Sequence, residues 1–404
     1  YAAYLKCLKP VEIVTHESVR RRGGGFSTCG CWYTDTEFVL KGLQIMCGIA
    51  GFVNDMPIDV KCPVLQRMTD MIAHRGPDSE GHYIDEHAAL GHRRLSIIDL
   101  GGGQQPIYNE DGSKVITFNG EIYNYQTLRE ELIAAGHTFT TKSDTEVLLH
   151  GYEQWGVDLL QRVRGMFTFV IWDKNKQELF GARDHFGIKP FYYAKMNGTF
   201  MYASEIKSLL RHPDFVKELN AEALKPYMTF QYPAIGETFF KGVYKLPEGH
   251  YFTYRDGKMD IHRYYDEDFR EGKQKLGELV NSIDQTVCDS VKAHQIADVE
   301  VGSFLSSGVD SSYVAAVARP QHTYSIGFGK GTYNESQQAG ELAELLKLNN
   351  TAESLTDEEA FAAFPRIQWH LDEPDSNPSC VPLYFLSALA AKDVKVVLSG
   401  EGAD

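Results

Sequence analysis

Cys47 follows Met46 and opens an apolar run, Gly48-Ile49-Ala50-Gly51-Phe52. An isolated cysteine in such a run is most often a small hydrophobe in a strand. If processing makes Cys47 the first residue, its thiol gains an α-amino group on the same residue. The unperturbed pKa of that amine, roughly 7.7–8.0, suits a built-in general base, and the nucleophile then needs no histidine. A thiolate attacking an amide also needs donors for the oxyanion. In Asn119-Gly120-Glu121 a side-chain amide and a backbone N–H can point at one oxygen, although Asn-Gly alone more commonly marks a hairpin turn. Arg94 and Asp144 supply the charges that hold the carboxylate and ammonium of an amino acid, while singly each is more often a surface or capping residue. As written, the α-nitrogen of Cys47 is an amide bonded to Met46 and has no basic lone pair. The chain is therefore expected to lack amide-splitting activity until residues 1–46 are absent.

A second constellation, Ser306-Ser307-Gly308-Val309-Asp310-Ser311-Ser312, lies between an expected strand over 299–305 and an expected helix over 311–318. Hydroxyls and successive N–H groups at a helix start make an anion cradle, and Asp310 could face an accompanying Mg²⁺. A Ser/Gly loop also occurs as plain connection. No Gly-Lys-Ser/Thr follows, which disfavours a P-loop kinase or GTPase.

Positioning these groups requires two kinds of scaffold. From 47 to about 250 short strands (47–53, 115–118, 166–172, 178–182, 191–193) alternate with helical patterns over 64–72, 128–135 and 145–155, which reads as an α+β domain. A polar connector is expected over 251–270. Beyond it, helical spacing over 276–291, strands over 299–305, 323–328 and 394–398, and helices over 311–318 and 339–346 read as α/β, a doubly wound parallel sheet over 271–404. That sheet looks incomplete, because Ser399-Gly400-Glu401-Gly402-Ala403-Asp404 leaves a strand without a covering helix. Residues 1–46 show neither periodicity and read as a foreign, disordered leader, either a propeptide or a translation begun upstream of Met46. Within it Cys29-Gly30-Cys31 lacks the second pair that a zinc site needs.

Composition bounds the partners. Forty basic residues against 55 acidic give a net charge of −15, an unfavourable field for nucleic acid. No stretch suits a membrane span or signal peptide, so a cytoplasmic location is expected. Seven scattered cysteines do not suit a disulfide framework, and some are expected as free thiols.

Taken together, Cys47-Gly48-Ile49, His74-Arg75-Gly76-Pro77-Asp78, Arg94-Leu95-Ser96-Ile97, Asn119-Gly120-Glu121-Ile122-Tyr123-Asn124 and Ser143-Asp144-Thr145-Glu146 resemble class II glutamine amidotransferases. Arg183-Asp184, Gly187 and Lys189-Pro190 add to the resemblance, which covers about 47–250. It implies an N-terminal-nucleophile hydrolase of αββα architecture with Cys47 as nucleophile and Asn119 and Gly120 as oxyanion hole. It further implies that Arg94 binds the glutamine carboxylate, that Glu121 and Asp144 bind its amino group, and that backbone groups of Leu95 and Ile97 line the pocket. The 74–78 turn is expected to be structural.

The Ser306–Ser312 loop resembles the pyrophosphate loop of ATP pyrophosphatases, and the terminal Ser-Gly-Glu-Gly-Ala-Asp resembles the second signature of the glutamine-hydrolysing asparagine synthetase family. The resemblance implies that Leu305, Ile326, Ser399 and Gly400 contact ATP. Ser306, Gly308, Asp310, Ser311 and Ser312 would embrace its pyrophosphate with Mg²⁺, Asp310 serving the metal, and Glu401 would assist formation of β-aspartyl-AMP. Ammonia released from glutamine would then travel an internal tunnel and displace AMP to give asparagine. Asp372-Glu373-Pro374 marks either part of the aspartate pocket or a helix-ending turn. Ser307 stands where the family has Gly, costly if the backbone needs positive φ. The family also continues beyond Asp404, so this fragment is not expected to make asparagine by itself. Dimerisation is a family expectation. Alternatives are another glutamine-dependent ligase with the same two domains, or a non-catalytic remnant.

Overall fold

The computed structural model describes residues 4–6, 46–268, 272, 274–329 and 335–401. In the first region two six-stranded antiparallel sheets face each other. One runs, in order, Val243–Lys245, Tyr192–Met196, Thr199–Ala203, Gly48–Val53, Ala88–Arg94, Ser79–Ile84. The other runs Lys258–Arg263, His250–Arg255, Glu178–Arg183, Gly165–Asp173, Lys114–Ile122, Ile107–Tyr108. Ile49, Val115, Val170, Trp172, Phe200 and Phe252 fill the space between them. On the outer face of the first sheet, helix Ile58–Asp70 buries Val64, Leu65 and Met68. Helices Tyr125–Ala134 and Asp144–Trp155 cover the second with Leu128, Leu132, Val147 and Leu148. The result is the expected αββα stack. Strand Gly165–Asp173 is covered on both faces and so reads as an unbroken apolar run rather than an alternation.

The second region is a parallel sheet in the order Val396–Leu398, Val301–Phe304, His322–Phe328, Asn349–Leu355. Ala315, Ala339 and Ala343 pack against Leu305, while Leu389 and Ala390 pack against Phe304 and Tyr324. After Val301–Phe304 the next two strands are laid down on one side and Val396–Leu398 on the other. This is a reversal of strand order, the place where open α/β sheets bind ligands beyond their strand C-termini. Tyr4–Lys6 pairs antiparallel with Val396–Leu398 at the sheet edge. Thus part of the expected leader lies in a sheet, whereas Cys29-Gly30-Cys31 falls outside the described residues.

The stretch expected as a connector, 251–270, differs from expectation. His250–Arg255 and Lys258–Arg263 form a hairpin, and the former pairs with Glu178–Arg183. Asp256 and Gly257, at φ +50° and +73°, make the two-residue turn whose twist suits a hairpin. Lys258–Arg263 is an exposed edge strand, so its polar composition hides it from a search for buried periodicity. Cys47, Cys62, Cys288 and Cys380 are free thiols. No helix among the described residues is long and apolar enough to cross a membrane.

Candidate active site

Strand Gly48–Val53 is pinned on both sides, by Ala88–Arg94 and Thr199–Ala203, so the residue just before it is held at the sheet margin. That residue is Cys47. Its sulfur lies 3.4 Å from the Leu95 N–H, which donates to it, and 3.6 Å from the Leu95 carbonyl. Arg75 Nε donates to the Cys47 carbonyl at 3.1 Å, and Arg75 Nη1 to Glu205 Oε1 at 2.9 Å. The turn expected to be structural therefore reaches the backbone of the proposed nucleophile. Within it, Gly76 packs so closely on strand Ala88–Arg94 that a Cβ would lie 2.3 Å from the Arg93 carbonyl.

Cys47 opens onto a narrow cleft that Arg94, Leu95, Ile97, Asn119, Gly120, Glu121 and Asp144 also line. All seven glutamine-site residues expected from sequence thus meet Cys47 in one place. Arg94 Nη2 is fixed by the carbonyls of Ile98 and Asp99 at 3.1 and 2.6 Å. Asp144 begins its helix and accepts from Ile122 N at 3.0 Å, which locks the helix start to the end of strand Lys114–Ile122. Gly120 lies where a Cβ would come within 2.2 Å of the Met166 carbonyl, so only glycine lets the strands approach there. Asn119 is fully buried, yet neither its Nδ2 nor its Oδ1 has a hydrogen-bond partner among the described residues. Each such buried orphan costs a fold about 1–3 kcal/mol.

Gln105 and Gly103 also line the cleft, and no motif or periodicity singles them out. Edge strand Ile107–Tyr108 pairs only as far as Ile116, and Gln105 continues the ladder with its side chain. Its Oε1 accepts from Phe118 N at 2.6 Å and its Nε2 donates to Phe118 O at 3.1 Å. A two-residue strand beside a nine-residue one is the only hint that a side chain must take over.

Met46 is buried too, at 6% exposure. Its N–H donates to the Arg75 carbonyl at 3.2 Å, and Lys189 Nζ lies 2.7 Å from its sulfur. Burial lowers the Lys189 ammonium to about 7, with Asp184 pulling the other way.

At the sheet's reversal point the two loops of the second constellation meet. Ser306 Oγ and Ser311 Oγ are 2.8 Å apart, Gly308 N donates to Ser306 Oγ at 3.1 Å, and Ser312 Oγ donates to Gly308 O at 2.6 Å. A Cβ on Gly400 would lie 2.5 Å from Ser311 N, so the loop carrying Ser399 and Gly400 seats directly on the first. Ser399 and Leu305 are buried, Ile326 is half-buried, and Asp310 and Glu401 are exposed. Ser307 does not have positive φ, so the departure from Gly carries no backbone strain. Asp372 ends helix Asp357–Leu371, and its carboxylate turns into the first region. There it accepts from Ile206 N at 2.6 Å and pairs with Lys207 Nζ at 3.0 Å.

Comparison with known proteins bears on both regions. Residues 46–265 match the glutamine amidotransferase domain family and residues 282–404 the asparagine synthase family. Asparagine synthetase (glutamine-hydrolyzing) 1 of Bacillus subtilis (strain 168) is 44% identical, over 89% of this chain and 58% of that protein. Its counterpart 2 from the same organism is 36% identical over 89% of this chain and 51% of its own length. A Methanocaldococcus jannaschii protein provisionally named asparagine synthetase (glutamine-hydrolyzing) 2 is 34% identical over 89% of this chain and 74% of its own. The chain thus spans little more than half the length of the Bacillus relatives. Two family matches in this order on one polypeptide, with relatives aligned across both, mean that the chain belongs to the glutamine-hydrolysing asparagine synthetase family.

Proposed function

We propose that this chain, once freed of Met46 and what precedes it, hydrolyses glutamine at Cys47. The orphaned Asn119 amide carries the reading. An unpaired amide donor, Asn119 Nδ2, on the wall of a cleft shared with a cysteine, an arginine and two carboxylates suits a ligand that forms an oxyanion. Arg94 holds the glutamine α-carboxylate, and Glu121 with Asp144 holds its ammonium. The freed α-amine takes the Cys47 thiol proton as sulfur bonds to the side-chain carbonyl carbon. Asn119 Nδ2 and the Gly120 N–H receive the oxyanion. The C–N bond breaks as the amine returns the proton to departing ammonia, leaving a thioester. Water activated by the same amine cleaves it to glutamate and restores the thiol.

In the second region the Ser306–Ser312 loop receives the pyrophosphate part of ATP, with Leu305, Ile326, Ser399 and Gly400 around the nucleotide. Seating of Gly400 on Ser311 N supports this, because a side chain there would separate the loops. The hydroxyls of Ser306, Ser311 and Ser312 and the exposed carboxylate of Asp310 are oxygen donors of the kind Mg²⁺ takes, and bound Mg²⁺ would neutralise phosphate charge. Glu401 assists attack of the aspartate side-chain carboxylate on the α-phosphorus of ATP, which expels pyrophosphate and leaves β-aspartyl-AMP. Ammonia then displaces AMP to give asparagine. A cavity between the regions, bordered by Met166, Ile188, Val287 and Glu401, supports internal passage of ammonia. A cytoplasmic setting and a homodimer complete the reading.

The test is a chain beginning at Cys47, assayed for ammonia release from glutamine beside the full chain. Activity in the trimmed form alone is expected. Full activity with Met46 retained would refute the requirement for a free amine, and a dead trimmed chain would favour a non-catalytic remnant. For the second half, glutamine, aspartate and ATP given to a chain of the relatives' full length should yield AMP and asparagine, and failure would favour another acceptor.

A further inference from the structure

Away from the glutamine cleft, three segments of the first region bring two imidazoles and two carboxylates together. Glu110 follows strand Ile107–Tyr108, and His137 follows helix Tyr125–Ala134. His150 and Glu153, one helical turn apart, share a face of helix Asp144–Trp155. One donor atom from each of these four residues lies within 4.8 Å of all the others.

The near contacts are 3.1 Å from His137 Nδ1 to Glu110 Oε1, 3.3 Å from His150 Nδ1 to Glu110 Oε2, and 3.2 Å from His150 Nδ1 to Glu153 Oε2. Donor atoms about 2.0–2.1 Å from a tetrahedral zinc ion stand roughly 3.3 Å apart, a length that the His150–Glu153 contact matches, while Glu110 sets one oxygen at a similar distance from each imidazole.

The surroundings also fit. On the far side of the His150 ring, Nε2 faces the buried Glu146 Oε1 at 3.5 Å. Metal-binding histidines characteristically present their second nitrogen to a carboxylate in this way. Asn109 Nδ2 fixes Glu153 Oε1 at 2.7 Å and leaves Oε2 toward the cluster, where Lys114 Nζ reaches only Oε1, at 3.4 Å. With the proton on Nε2, on the Glu146 side, the Nδ1 lone pair would point at two carboxylate oxygens. That arrangement calls for a cation between them.

We propose that Glu110, His137, His150 and Glu153 bind one divalent transition-metal ion, zinc by preference, as a structural site. Two nitrogen donors favour zinc over magnesium or calcium, which take oxygen. The ion ties the 137–143 connection to the helix that begins with Asp144. The competing occupant is a proton on His150, which satisfies the same carboxylates as ion pairs.

The experiment uses the full chain, stripped with a chelator and dialysed. Zinc is added, unbound metal removed, and the retained metal counted by mass spectrometry. Parent, His137→Ala and Glu110→Gln are compared, both changes lying at positions not fully buried. The expected result is about one ion per parent chain, with affinity at least about tenfold weaker in each variant. A thermal midpoint raised by zinc in the parent alone is also expected. Cobalt substituted for zinc should give d–d bands without thiolate charge transfer, which separates this site from the chain's cysteines. No retained zinc, equal retention by parent and both variants, or displacement by excess magnesium would overturn the proposal. The readouts involve no catalysis, so they stand or fall independently of glutamine hydrolysis.

Discussion

Asn119 is held at a cost to stability, and that gives its two roles opposite signs under mutation. Replacing it with the near-isosteric leucine (Asn119→Leu) removes two buried unpaired polar atoms, so stability in urea should stay level or rise. In a chain beginning at Cys47 the same change should lower kcat for glutamine hydrolysis by about 10²–10³, the range for losing one oxyanion donor. Lys189 makes a prediction through pH. Burial lowers it to about 7 from an ordinary 10.5, so the unfolded chain holds more protons between those values, and folding stability should rise with pH across that window. Lys189→Met should raise the thermal midpoint at pH 7 and flatten the slope between pH 7 and 10.5. Among single residues, Cys47, Arg94, Asn119 and Asp144 could be read in sequence because their chemistry shows in the residue type. Gln105 and Arg75 could not, since one stands in for a missing strand and the other reaches the Cys47 carbonyl across a fold that no local pattern encodes.

At the scale of elements, the helix Ile206–Leu209 is too short to stand by itself, and it takes the carboxylate at its start from Asp372, over 160 residues away. Asp372→Ala removes that acceptor, worth about 0.5–2 kcal/mol, and one of the two carboxylates that hold buried Lys207. Asp372→Asn keeps an acceptor for the N–H groups but loses the charge. Denaturation midpoints should therefore fall in the order parent, Asn, Ala. Gly400→Ala should force the two loops apart at Ser311 N and weaken nucleotide binding, measured by calorimetry, while leaving glutamine hydrolysis by the trimmed chain intact. Elements with both faces covered, such as Gly165–Asp173, announced themselves as apolar runs. Hairpin 250–263 did not, because an exposed edge strand carries the composition of a loop. Strand Asn349–Leu355 went unread for the same reason, being mostly exposed.

Across the whole molecule, the two regions are joined by charge as well as by apolar packing. Asp372 holds Lys207, Lys207 holds Glu205 at 2.5 Å, Glu205 holds Arg75, and Arg75 donates to the Cys47 carbonyl. Although burial alone would raise it, Glu205 is kept well below the usual carboxylate range by His74, Arg75 and Lys207. A second link, Lys395 to Asp78 at 2.8 Å, ties the parallel sheet to the same turn. The burial of Met46 bears on the order of events in the cell. An exopeptidase needs its substrate drawn out in an open groove, whereas the folded chain clasps this side chain under Lys189 and its N–H against Arg75. On the reading proposed above, maturation of the thiol is thus a matter of timing: trimming would have to come while the polypeptide is still emerging, because a copy that closes first keeps Met46 clasped against Arg75 and Lys189.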